Sequence, residues 1–307
     1  MKSNREIRDE AWRLLWKEGW FGRYIAVSVL LALVVGIVMA AIAFGYRALE
    51  IGTFQDFFAA QQKAASQGLL FSASNNESLM RMLGASLFQN FVQYLLVGIG
   101  TFGAMAMSLK AVRREREGWL GEAFSGFGAP FAMFWLMFSI QIRTLFWTIL
   151  VVLPVAVVGS VALSVAGEAG VKLLLVVLSL AMLAVGIWLY YRYYCVWYLK
   201  ADHPDWGAGK CVAVSVEVMK GRKGAAARLD CSCWLSFLWL LPLFGMVVRM
   251  AAKIQFGGGW GEASPADWAI LAGVGVIALF YCAVVTWYLA LGHAIFYREL
   301  STERSPE

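Results

Sequence analysis

Charge is what this sequence has least of: 15% of its 307 residues are Asp, Glu, Lys or Arg, against about a quarter in soluble domains. That deficit excludes an ordinary water-facing globule. Histidine is scarcer still, with two residues, His203 and His293, neither in a recognisable zinc, triad or dyad motif. No cluster of carboxylates converges in sequence, and no Asp or Glu falls inside the long apolar runs. An enzyme is therefore not expected, and no cofactor is called for. The five cysteines are odd in number and suggest no disulfide framework. Cys231 and Cys233, even with Cys211 and His203, lack the Cys-x-x-Cys spacing of a zinc site. The formal charge of +6 comes without aromatic-interleaved basic modules, so nucleic acid is not an expected partner.

What the sequence does have is apolar length. Hydrophobic residues make up 61% of the chain and the mean hydropathy is +0.67. They come in blocks of about 20, the length that crosses a hydrocarbon core of roughly 30 Å. The expected fold is all-α: one polytopic membrane domain, residues 1–307, with six transmembrane helices plus interfacial amphipathic helices. The spans are placed at about 24–44, 87–109, 144–165, 173–191, 231–248 and 268–291. The first is read as uncleaved, because the leader before it is long and carries Glu6, Asp9, Glu10 and Glu18. From Phe131 to Ala166 the apolar stretch would reach about 54 Å as one straight helix, too long for a single crossing. Arg143 is therefore taken to divide an interfacial helix, 131–142, from the third span, with a tight outer turn at Gly167–Gly170. Within span two, Gly98-Ile99-Gly100-Thr101-Phe102-Gly103 matches the dinucleotide-binding pattern only formally. It lies inside an apolar helix, where small residues permit close packing.

Lys and Arg collect in the tails and in the loops after spans two and four, which places both termini in the cytoplasm. The expected location is the bacterial inner membrane. Ser3-Asn4-Arg5-Glu6 is a capping box that opens a cytoplasmic amphipathic helix over 3–20. Its apolar face, Ile7, Ala11, Leu14 and Leu15, suits either the headgroup plane or a site on the protein itself. An outer segment, 47–81, is rich in Gln, Ser and Asn. The cytoplasmic loop 200–230 is the most distinctive stretch. There Lys210–Met219 fits both a strand and a helix, and helix is preferred because a lone strand leaves its backbone groups unpaired. Gly221 is expected to end it.

The run Leu199, Ala201, Asp202, Pro204, Ser215, Met219-Lys220-Gly221-Arg222-Lys223, Leu229 and Ser232 resembles the central signature of an uncharacterised bacterial multipass membrane family, domain of unknown function 975. The similarity extends to Arg5-Glu6-Ile7, Ala11, Leu15 and Gly19-Trp20 at the start. It continues in Phe124-Ser125-Gly126-Phe127 in an inner loop and Ala294, Phe296 and Tyr297 near the end. Ala227 and Cys233-Trp234-Leu235-Ser236 depart from the family pattern. The resemblance implies a multipass bacterial membrane protein and supplies no activity.

The expected function is that of a non-enzymatic scaffold, or a membrane component that contacts lipid or a partner; the alternative is a transporter or channel subunit. The candidate face combines the motif residues Asp202, Pro204, Ser215, Met219 and Gly221 with the cations Lys210, Lys220, Arg222, Lys223 and Arg228. Anionic lipid headgroups are the expected partners, together with a membrane protein or a second copy of the chain. Asp202, Asp205, Glu217 and Asp230 are read as helix caps and solvated charges.

Overall fold

The computed structural model describes residues 2–48, 73–234, 245 and 265–302, and among these the chain is helical with no β-strand. The first helix, α1 (Asn4–Trp12), starts at the capping box. The Ser3 hydroxyl accepts from the Glu6 N–H at 3.3 Å, and the Glu6 carboxylate accepts from the Ser3 N–H at 2.7 Å. A π-helical turn, Arg13–Lys17, and Gly19 at φ 76° then swing the chain into α2 (Trp20–Ala48). Ile7, Ala11, Leu14 and Leu15 are buried in a core shared with the C-terminal helix. Of the two sites open to this face, the structure uses the protein itself.

The remaining elements are α3 (Ala73–Arg113), α4 (Trp119–Ala123), a 3-10 turn at Ser125–Gly128, and α5 (Pro130–Arg192). There follow α6 (Val196–Asp202), α7 (Ala208–Val218), α8 (Lys223–Trp234) and α9 (Pro265–Thr302). Straight, the 63 residues of α5 would span about 95 Å. They do not run straight. The Trp147 and Trp188 rings lie 5.3 Å apart, and a Cβ on Gly159 would meet Leu174 Cδ1 at 2.0 Å, so α5 folds back on itself. Both pairs are centred within a residue of Gly167, while α5 itself stays helical without a break through Gly167–Gly170. The first arm passes Arg143 without a break, so 131–142 is its opening and not a separate helix. A charged residue does not interrupt a helix when its head group has an outlet, and Arg143 lines a recess with Arg192, Trp147 and Val216.

Among the described residues, five stretches are long and apolar enough to cross a membrane: Trp20–Ala48, Leu83–Arg113, Pro130–Val157, Leu174–Asp202 and Gly273–Thr302. The expected fifth span, 231–248, is described only at its start and at Gly245, and the outer segment 47–81 only at its ends. Along the spans large apolar side chains stay uncovered, among them Ile37, Phe146, Leu153 and Leu180. Such a surface suits a lipid environment and would be a liability in water.

Burial concentrates at one end instead. Trp20, Tyr24, Met107, Tyr198, Met219, Leu229 and Phe296 are all essentially inaccessible and belong to one cluster. That core end gathers α1, the end of α3, α6, α8 and the last turns of α9. Helix α3 is the central post, touching α2, α4, α5, α6 and α9. Its glycines explain how close the neighbours come. A Cβ on Gly103 would fall 1.9 Å from the Ala123 carbonyl oxygen, and one on Gly126 2.9 Å from the Ile99 oxygen. The expected close packing at Gly98–Gly103 is thus a contact with the 119–128 segment, and with Met133 on α5.

Candidate functional site

The loop after the second α5 arm folds as three short helices, α6 to α8, stacked on the core end. Gly207 opens α7, whose Ala208, Cys211, Val212, Ser215 and Val218 are buried, as is the following Met219. Helix wins over strand because that face meets α5 and α6 while the backbone bonds close internally. Gly221 ends the segment at φ 77°, a conformation that favours glycine.

The motif residues divide sharply between inside and outside. Ser215, fully buried, accepts from the Cys195 N–H at 3.2 Å and donates to the Arg192 carbonyl at 3.3 Å. It thereby pins α7 to the joint between α5 and α6. Asp202 forms an ion pair with Arg113 and accepts from the Tyr297 hydroxyl at 2.9 Å, tying α6 to α3 and α9. The Pro204 carbonyl accepts from the buried Lys200 ammonium, which also donates to the Trp206 carbonyl at 2.8 Å. Ser215 and Asp202 thus face inward and position the loop, while Pro204 is exposed and contributes its carbonyl.

The cations behave differently. Lys220 and Arg228 are exposed, Arg228 donating only to Gly224 of its own helix. Lys210 sits over the Trp206 ring at 4.1 Å and Lys223 over Trp188 at 4.6 Å. Desolvation, and then the nearby Arg192, lowers the Lys223 pKa. Arg222 is partly buried. Lys210, Lys220 and Arg228 have no carboxylate within ion-pairing distance among the described residues.

Two of the four carboxylates read as caps or solvated charges are nothing of the kind. Asp230 is 3% exposed and its Oδ1 lies 2.6 Å from His293 Nε2, while Tyr191 donates to its other oxygen at 3.1 Å. The His293 ring packs against Tyr194 with centroids 4.6 Å apart. Asp202 is the second, held between Arg113 and Tyr297. A buried carboxylate is costly unless paired and hydrogen-bonded, and both are. Beside His293 lies an interhelical pocket of about 380 Å³, with Thr101, Gln141, Thr144 and Tyr190 on its wall. Sequence reading missed the pair because its members are 63 residues apart. The available signal was a lone histidine in an otherwise apolar helix. His203, by contrast, lies flat on Trp206 at 3.9 Å.

Compared with protein-family models, curated proteins and solved structures, the chain gives no match in any of the three.

Proposed function

We propose that this chain is a six-span protein of the bacterial inner membrane, with both termini cytoplasmic, that acts as a non-enzymatic scaffold through its basic inner face. Membership of the family it resembles is part of the same reading. Parity supports the span number. Lys2 Nζ and Glu299 Oε1 lie 3.1 Å apart, which favours an even number of crossings. Asp230 touches His293, whereas Pro265 lies 28 residues up the same helix, about 42 Å away. That separation supports the proposed sixth crossing.

The observation that carries the scaffold reading is how the polar groups divide. Asp202 and Asp230 turn inward to internal partners, leaving Asp205 and Glu217 as the exposed acids of this loop, while Lys210, Lys220 and Arg228 are exposed without carboxylate partners among the described residues. Cations left so at a membrane surface attract anionic headgroups or an acidic partner, each by about 1 kcal/mol. Native mass spectrometry of the purified protein tests this. The variant Lys210→Gln/Lys220→Gln/Arg228→Gln is expected to retain fewer anionic lipids than the wild type, and an unchanged lipid complement would remove the proposal.

The Asp230–His293 pair beside its pocket favours the second reading, a transporter or channel subunit, since ionisable groups inside a bundle often line solute or proton pathways. Solute flux into proteoliposomes that disappears in His293→Ala would move this reading to first place.

A further inference from the structure

A different basic feature opens at the core end between α1, the end of α3 and the last turns of α9. It is a cleft of about 1000 Å³ lined by Lys2, Arg13, Lys17, Arg113, Arg114 and Arg298, and it shares no residue with the Lys210–Arg228 face. Three acids, Glu6, Asp9 and Glu10, stand on the same wall. Most of these charges are already matched. Lys2 and Arg298 pair with Glu10 at 2.9 and 3.1 Å, and each also reaches Glu299. Arg113 is held by Asp202, and Glu6 caps α1.

Arg13, Lys17 and Arg114 remain. All three are exposed and have no carboxylate within ion-pairing distance among the described residues, with Asp9 the one acid left over. Arg114 is also the sole non-glycine residue at positive φ among them, at 62°, a conformation costly for a residue with a Cβ. That conformation closes the C-terminus of α3, where the Glu115 N–H donates to the Lys110 carbonyl at 3.0 Å, and it leaves the guanidinium on the wall of a cleft whose lining carries excess positive charge. An anion is the ligand that fits.

A second observation says which kind of anion. Trp12, itself on the cleft wall, contacts Trp16 at 5.6 Å and Tyr288 at 6.0 Å between ring centroids. Trp16 stacks on Phe21 at 4.4 Å, and Phe21 meets Phe280 edge-on at 5.6 Å. On α9 the order Arg298, Tyr288, Phe280 leads away from the cleft and into the candidate span, about 27 Å along the helix. Trp12, Trp16 and Phe280 are all exposed along this track. A free phosphate has no use for an aromatic track, whereas the acyl chains of a lipid do.

We infer that the cleft binds the headgroup of an anionic phospholipid whose chains lie along the Trp12, Trp16, Phe21 and Phe280 rings. The assignment rests on the membrane reading above and is independent of the Lys210–Arg228 face. The test uses the full-length protein in neutral detergent, titrated separately with phosphatidylglycerol, phosphatidylcholine and inorganic phosphate. It is read as saturable thermal stabilisation and as lipid adducts in native mass spectrometry. Phosphatidylglycerol alone should stabilise the wild type. Arg13→Gln, Lys17→Gln and Arg114→Gln should each weaken it by about fivefold, and the three together by on the order of 100-fold. The Lys210→Gln/Lys220→Gln/Arg228→Gln variant should keep the response. Should the triple cleft variant not purify, the single substitutions, all at exposed side chains, make the same comparison. An unweakened response in the cleft variants would overturn the inference. So would stabilisation by phosphate equal to that by lipid, which would assign the cleft to a free anion. A response lost only in the Lys210, Lys220 and Arg228 variant would overturn the cleft and leave the scaffold reading standing.

Discussion

Glycine does two separate jobs here, and single substitutions tell them apart. Gly103 exists because the Ala123 carbonyl occupies the place of a Cβ, at 1.9 Å, and backbone cannot yield as a side-chain tip can. Gly103→Ala is expected to cost about 1–3 kcal/mol, the usual penalty of forced overpacking, measured as a fall in thermal unfolding temperature in detergent. Gly100, one turn away, has nothing within 4 Å of its added methyl. Gly100→Ala should be neutral or slightly stabilising, because alanine is the better helix former. The formal dinucleotide fingerprint thus resolves into one glycine fixed by a neighbouring segment and one without such a constraint. Its context in an apolar helix already argued for packing, but which glycine mattered depended on the 119–128 segment, which no local pattern reveals.

At the scale of the element, α1 is fastened to α9 by charge as well as by its apolar face. Burial alone would raise the Glu10 pKa, but hydrogen bonds from Lys2 and Arg298 outweigh it and hold the carboxyl below its ordinary value of 4.5. Lys2 is raised from 10.5, chiefly by its hydrogen bond to Glu10. A depressed carboxylate contributes stability that is present above its unfolded value and lost as pH falls through the folded one. A raised amine contributes below its unfolded value and loses it as pH climbs past the folded one. The α1–α9 contact should therefore hold at full strength between those limits and loosen in acid as pH falls below the ordinary glutamate value and through the lowered one. Hydrogen exchange in residues 4–12, compared at neutral and acid pH, would show it, and Glu10→Gln should remove most of the difference. The capping box of this helix and its apolar face were plain in the sequence. Its partner was not, because the face alone is equally suited to headgroups and to protein, and Arg298 lies 288 residues from Glu10.

For the whole molecule, composition and block length conveyed the helical class, and the contact between the arms of α5 is compatible with a reversal near Gly167–Gly170. Helix boundaries were less legible. Arg143 has the look of a stop in a one-dimensional hydropathy profile, yet a recess shared with Arg192 lets the helix continue. Within the loop 200–230, Asp202, Pro204, Ser215 and Gly221 stood out as a pattern, but the inward direction of Asp202 and Ser215 did not. Ser215 answers to Cys195 and Arg192, and Asp202 to Arg113 and Tyr297, and a linear motif names none of those partners. The same limit concealed Asp230 and His293.

One feature of this architecture bears on how the chain is made. The core end is closed by Leu291, Ala294, Phe296 and Leu300 of α9, packed against side chains from the opening residues such as Ile7 and Trp20. Tyr24 and Met107 thus keep an unfinished coat until α9 arrives. Consolidation of that end therefore waits for the last helix to be made.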